Sequence, residues 1–279
     1  MRRLIFLLFP FLIPATLLSA QNLKDEYKGV YRVYDFDAPR VNAPAPKGYD
    51  VFCLSHYGRH GSRLLYSEAD YDSLYVVLNR ERLTPYGEQV RERFMKNFPL
   101  YTGRAADLTE PGKEQHRILA RRMCEDFPQL FRKGSAVHAV SSDRSRCFMS
   151  MYNFLDELRI YRRDLDIQAD YSTALLNVIK NQNGRAFPIG EYIKENYDPK
   201  PLFERLFAEP ETAMARTDAH TFGQKIFYYA SHLDGAGHSD DFWDTVLTEN
   251  EIAELFKVEN EKFRYNRGPL LPENVVPAR

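Results

Sequence analysis

The sequence predicts an α/β fold with a helical second part, and three observations carry that prediction. Two short apolar runs, "YDVFCLSHY" (Tyr49 to Tyr57) and "AVHAVSS" (Ala136 to Ser142), have the length and the β-branched or aromatic content of buried strands. Each ends in a polar loop that carries Ser and Arg, "GRHGSR" after the first and "DRSR" after the second. From about residue 164 onward the chain changes character, to aromatic and charged residues at helical spacing.

At the N-terminus, Met1, Arg2 and Arg3 precede "LIFLLFPFLIPATLLSA" and then Gln21. A charged start, an apolar run broken by Pro10 and Pro14, and the small residues Ser19 and Ala20 are the pattern of a cleavable export signal over residues 1–20. The run is too short and too interrupted for a membrane span. The expected location is therefore periplasmic or secreted, with no membrane association after cleavage. No cysteine stands at the cleavage point, so a lipoprotein signal is not supported.

The first strand follows the Pro-rich "APAPKG". Next comes "LTEPGKEQHRILARRMCEDF", where Thr109 is a cap, Pro111 lies in the first turn, and His116, Leu119, Ala120, Met123 and Phe127 fall on one helical face. The second strand runs into "DRSRCFMSMYNFLDELRI", with a helical stripe of Cys147, Met151, Phe154 and Leu158. Later runs such as "TDAHTFGQKIFYYASHL" and "DDFWDTVLTENEIAELFKVENEKFRY" carry apolar stripes of Phe222, Ile226 and Tyr229 and of Leu247, Ile252, Leu255 and Phe256. The segment "GAGHSDDFW" between them reads as an interhelix turn capped by Ser239, and His220, His232 and His238 show no ligand spacing.

Composition narrows the function. The chain of 279 residues is 44% hydrophobic and 28% charged, with a formal net charge of −1. Such a balance lacks the surplus of Lys and Arg that phosphate-backbone binding needs, so a nucleic-acid protein is not expected. The local clusters Arg117/Arg121/Arg122 and Arg159/Arg162/Arg163 sit beside acidic residues at helical spacing and read as solvated helix faces. Three cysteines, Cys53, Cys124 and Cys147, allow at most one disulfide and match no metal motif; buried, unpaired thiols are the expectation, with the pairing left open.

The chemistry lies where the strands end. In open α/β sheets ligands bind beyond the carboxyl ends of the strands, where helix N-termini favour anions. Arg59, Arg63 and Arg146 would add guanidinium forks that match phosphate oxygens. A histidine among arginines is held neutral, and a neutral imidazole is the nucleophilic form. His60 is thus placed to attack a bound phosphate and become a phosphohistidine.

"RHGSR" after a strand, "LTEPGKEQH" downstream and "SSDRSRCFMS" after a second strand resemble the histidine phosphatase superfamily in its acid phosphatase and phytase branch, and most closely the multiple inositol polyphosphate phosphatases. The resemblance covers residues 49–155. It implies an α/β sandwich core with a helical cap domain, His60 as nucleophile, and Arg59, Arg63 and Arg146 as phosphate ligands. The arginine at position 63 sets it with the phosphatases rather than the mutases. Its partner would be a phosphorylated small molecule, phytate or another inositol polyphosphate, with no metal or other cofactor implied; the alternatives are a general acid phosphatase and a noncatalytic phosphate-ligand binder or unstable fragment. On this basis residues 21–163 form the first part of the core, 164–266 the cap insert and 267–279 a return toward the core. Arg144 competes with Arg146 for the pocket, and the register of "RCFMS" favours Arg146. His56 is either a pocket residue or a strand-end histidine bonded to backbone, and His116 marks a structural helix.

One departure matters. The family carries a His-Asp or His-Ala-Glu proton donor on a late strand-loop, and no such motif occurs here in that context; His238-Ser239-Asp240 has the wrong surroundings. The closing strands expected after the cap are absent from the sequence, so an incomplete core with weak turnover is the expectation.

Overall fold

A computed structural model describes residues 26–40, 43, 45–174 and 187–267. The expected leader and the segment after residue 267 lie outside the described residues.

Helices α1 (Glu68–Arg80), α2 (Pro85–Tyr101) and α3 (Glu110–Asp126) precede the sheet. Each starts by the same device. Ser67, Thr84 and Thr109 adopt extended backbone, and their hydroxyls accept from the backbone N–H of Ala69 (3.2 Å), Gly87 (3.0 Å) and Gly112 (3.2 Å). Pro85 and Pro111 sit in first turns, where no N–H is required. The start predicted at Thr109 is where the helix begins.

Strand β1 (Ala136–Ser142), helix α4 (Ser145–Tyr161) and strand β2 (Asp166–Ser172) form a βαβ unit. The strands pair in parallel, from Ala136 opposite Asp166 to Ser142 opposite Ser172, which requires the helical crossover. One face of this pair is covered: Val137, Ala139 and Ile167 pack against Ala120 and Cys124 of α3 and Leu155 and Leu158 of α4. Val140, of opposite parity, is exposed. Arg121 bridges the two helices, donating to Glu157 (2.9 Å) and Glu114 (2.7 Å), while Arg117 donates to Asn153 (2.8 Å). The first basic cluster is therefore a half-buried seam between α3 and α4 and not the solvated face that its charge pattern predicted. Its acidic partners stand on the facing helix as well as on its own.

The chain then forms α5 (Ile189–Asn196), α6 (Lys200–Leu206), α7 (Pro210–Arg216), α8 (Ala219–Ala236) and α9 (Glu249–Arg267). Asp218 caps α8 by accepting from Thr221 N (3.1 Å), and Gly237 ends it at φ +80°, a conformation that favours glycine. The turn after it is capped by Asp240 and not by Ser239, whose hydroxyl donates instead to Asp234 (2.7 Å). These helices share a second, larger core with α1 and α2, built on Tyr71, Phe94, Phe203, Tyr229 and Trp243. Helices on either side of the βαβ unit in sequence thus pack together in space.

The first predicted strand is corrected. Residues 49–57 form no ladder, Phe52 is 93% exposed, and Cys53 is an exposed free thiol. An apolar run becomes a strand only where a neighbour satisfies its backbone, and among the described residues β1 and β2 are the only paired strands. Cys124 is buried as expected, with its thiol pKa pushed up by burial, and Cys147 is free and half-buried.

Gly223 on α8 lies against the ring of buried Tyr197, and a Cβ there would overlap that ring. Gly223→Ala is expected to lower stability by about 1–3 kcal/mol. Gly190 on α5 faces open space, so Gly190→Ala is expected to be neutral or to stabilise by about 0.5–1 kcal/mol. Urea unfolding of both variants checks the pair.

Candidate active site

The segment His60–Arg63 is held by backbone and side-chain groups of α3 and α4. Gly61 and Gly112, in the first turn of α3, approach so closely that a Cβ on Gly61 would overlap the Gly112 carbonyl and one on Gly112 would overlap that of Ser62. Ser62 O accepts from Thr109 N (3.0 Å) and Thr109 Oγ1 (2.9 Å), and Ser62 N donates to Gln115 Oε1 (2.8 Å). Gln115 Nε2 returns a bond to Ser62 Oγ (2.8 Å). From α4, Ser150 Oγ accepts from Gly61 N (3.1 Å) and donates to Arg146 O (2.8 Å). Behind the loop, Leu65 N donates to Tyr71 Oη (2.8 Å), Tyr71 donates to His232 Nε2 (3.1 Å), and His232 Nδ1 donates to Tyr229 O (2.6 Å).

This framework fixes the state of His60. Its Nδ1 lies 2.8 Å from Gly61 O. A carbonyl only accepts, so Nδ1 carries the proton and Nε2 keeps its lone pair. Burial, followed by the charges of Arg59, Arg146 and Arg63, pushes the His60 pKa down to about 4, although the bond to Gly61 O opposes this. The imidazole is therefore neutral above about pH 4, with the lone pair on Nε2.

The structure brings the four sequence-predicted residues together. Arg59, His60 and Arg63 line a cavity of about 380 Å³, whose other walls include Tyr31, Gln115, His116 and His232. Arg146 does not line this cavity; it comes from the first turn of α4 and shares an aromatic partner with Arg63. The two guanidinium groups lie 5.5 and 5.6 Å from the ring centre of Tyr66, and Arg63 lies 5.9 Å from that of Tyr31. Both Arg63 Nε and Arg146 Nε are buried with no hydrogen-bond partner among the described residues. Arg144 turns outward, 4.0 Å from Asp143. His56 lines the cavity and stacks on Phe154 at 5.7 Å, nearly parallel. His116 is buried, with its pKa lowered by burial, and its ring donates to the Arg59 backbone.

Tyr31, Tyr66, Gln115 and His232 escape the sequence analysis. Tyr31 lies far upstream in an unremarkable run, and His232 carries no spacing signal. Gln115 stands inside the quoted "LTEPGKEQH", where its neighbour His116 drew the attention.

Among the described residues no helix is long and apolar enough to cross a membrane. No protein-family model and no curated protein sequence matches this chain. Its architecture is a helix-rich chain with a small parallel sheet. In fold it is similar to the solved structure of the phytase from D. castellii, with a TM-score of 0.55 and 12% identity over 75% of this chain. The match spans 49% of the phytase, so this chain covers about half of that protein's length.

His60 and His232 both have folded pKa values of about 4, below the ordinary value of about 6.5. As pH falls from about 6.5 toward 4 the unfolded chain takes up protons at these rings before the folded chain does, so stability is full above that window and is lost through it. The thermal midpoint is expected to drop as pH is lowered from about 7 to 4.5, and His60→Asn to flatten part of that slope. An unchanged slope in the variant would show that the ring is not held neutral.

Proposed function

We propose that the chain is a histidine-type phosphatase domain that binds phosphomonoesters, with inositol polyphosphates as the substrate class, and transfers the phosphoryl group to His60. One observation carries the reading: a neutral histidine with a free Nε2 lies among three arginines, two of which hold buried, unpartnered Nε donors. Leaving such donors unpaired costs about 1–3 kcal/mol each, and phosphate oxygens are acceptors that would pair them. The phytase-like fold supports the same reading at the level of the superfamily.

The steps follow from the site. Arg59, Arg63 and Arg146 hold the nonbridging oxygens as charge redistributes. His60 Nε2 forms the N–P bond while the P–O bond to the leaving alcohol breaks. The Nδ1–H bond to Gly61 O supports the positive charge that the phosphorylated ring gains. Water then attacks phosphorus, releases phosphate and restores the imidazole. Among the described residues lining the cavity there is no carboxylic acid, so protonation of the leaving alkoxide has no donor there. General acid assistance is typically worth ~100- to 10,000-fold, and slow turnover of alkyl phosphates is the consequence. Export to the periplasm or medium is part of this proposal and rests on the leader pattern of residues 1–20.

The test compares a nitrophenyl phosphate, whose leaving group departs as a stable anion, with phytate near pH 5. A nitrophenolate burst of about one equivalent, with slow phosphate release from phytate, is expected. His60→Ala abolishes both, and Arg146→Ala weakens phosphate binding about tenfold or more, against little change for Arg144→Ala. Release that survives His60→Ala would refute the assignment. Phosphate binding without a burst would favour the noncatalytic binder, which the acid-free cavity also fits.

A further inference from the structure

The mechanism leaves residues 27–40 unused, yet they cross the cavity as a strap tied at both ends. At one end Lys28 forms an ion pair with Asp234 of α8 at 2.6 Å, and its side chain is only 10% exposed. Tyr27 packs edge-on against Phe256 of α9 at 5.3 Å. At the other end Arg122 of α3 donates to Tyr34 Oη (3.1 Å) and to Phe36 O, while Arg40 donates to Glu125 (2.9 Å) and Asp126 (3.1 Å). The strap thus joins the larger helical core to the βαβ unit.

Between these anchors Val30, Tyr31, Arg32 and Tyr34 form a wall of the cavity. Tyr31 is already engaged, hydrogen-bonded to Arg63. Arg32 differs: its side chain is exposed at the rim, and its guanidinium makes no hydrogen bond or ion pair among the described residues. The acidic residue nearest to it in sequence, Asp35, turns its carboxylate onto its own backbone, accepting from Asp37 N (2.9 Å) and Ala38 N (3.1 Å). No carboxylate lines the cavity among the described residues, so nothing there neutralises Arg32.

We propose that the strap is a specificity element in which Arg32 binds a second anionic group of the substrate, beyond the phosphoryl group presented to His60. The site then prefers phosphomonoesters that carry a further phosphate over simple monoesters. The proposal rests on the phosphate-site reading above. A planar guanidinium with unused donors suits a second phosphate, which it can grip with two parallel bonds. Because both strap ends are fixed, Arg32 is presented at the rim at little ordering cost on binding.

Isothermal titration with myo-inositol hexakisphosphate and with phenyl phosphate, at about 0.15 M salt, gives the ratio of the two affinities as the readout. Arg32→Ala is expected to lower that ratio about tenfold, the loss of one charge-assisted contact, and Arg32→Lys to recover part of it. Arg82→Ala removes an equal charge from an 80% exposed side chain that is not part of the cavity lining, and is expected to leave the ratio unchanged. A ratio unmoved by Arg32→Ala, or moved equally by Arg82→Ala, overturns the role of Arg32. Arg59→Ala separates the two readings: it weakens both ligands if the cavity is a phosphate site, and if both affinities survive it, that reading and this one fail together.

Discussion

The site depends on a backbone-to-backbone contact between Gly61–Ser62 and Gly112 at the start of α3. Two chains can come this close only where neither carries a Cβ at the point of contact. The approach puts the Ser62 carbonyl within reach of both the amide and the hydroxyl of Thr109, the residue that also caps α3. One threonine therefore starts a helix and fixes the loop that carries His60. The single hydroxyl proton of Thr109 is shared between Ser62 O (2.9 Å) and Gly235 O of α8 (2.5 Å), which extends the same constraint into the larger core. Gly61 N, bonded to Ser150 of α4, closes the set. The loop is held because its polar groups are spent on both α3 and α4, and His60 inherits that order through its bond to Gly61 O.

The electrostatics of the site are unfavourable by themselves, and the surroundings show how they are tolerated. Arg63 and Arg146 both lie over Tyr66, and Arg63 also lies over Tyr31, so ring faces supply negative potential where no carboxylate stands. Such contacts are worth about 0.5–1 kcal/mol at exposed sites and more when desolvated. A carboxylate in their place would neutralise the arginines more strongly, but it would also repel an anionic ligand. Aromatic partners lower the cost of gathering the cations while leaving their charge available. The buried Nε atoms of these two arginines show that the compensation is partial, a strain that sites of function commonly retain.

Much of this was legible in the sequence, and the misses have physical causes. The α3 start was readable because a cap and a proline act within a few residues. The β1–α4 junction was readable because apolar length and then helical stripe change at Ser142–Ser145. The gathering of Arg59, His60 and Arg63 at one cavity was readable because the three lie within five residues of one another in a single polar loop. The run at 49–57 reads as a strand by composition, but strand pairing is a long-range property, and this run has no ladder among the described residues. Asp240 replaced Ser239 as cap because either side chain can do the work locally, and Asp234 drew the serine away. The packing of α1 and α2 with the helices after residue 187 was likewise invisible, since periodicity reports that a face is buried and not against what.

The two cores also account for where the cavity lies. The segment His60–Leu65 is the crossing point: Gly61 and Ser62 are fixed to α3 and α4 of the smaller core, whereas Leu64 and Leu65 are buried in the larger one. Residues between those anchors cannot move with one core alone. Tyr71 and His232 hold the Leu65 amide from the larger core by a fully paired network, with His232 neutral because burial disfavours its charged form. Arg63 is flanked by both sets of anchors, and its side chain meets one carbonyl, the Tyr31 hydroxyl and two aromatic faces. The strap at residues 27–40 ties the same two bodies on the other side of the cavity, from Asp234 to Arg122. The cavity therefore lies between two ties, the His60–Leu65 segment on one side and the strap on the other, and Arg59, His60 and Arg63 take their places from the first of them.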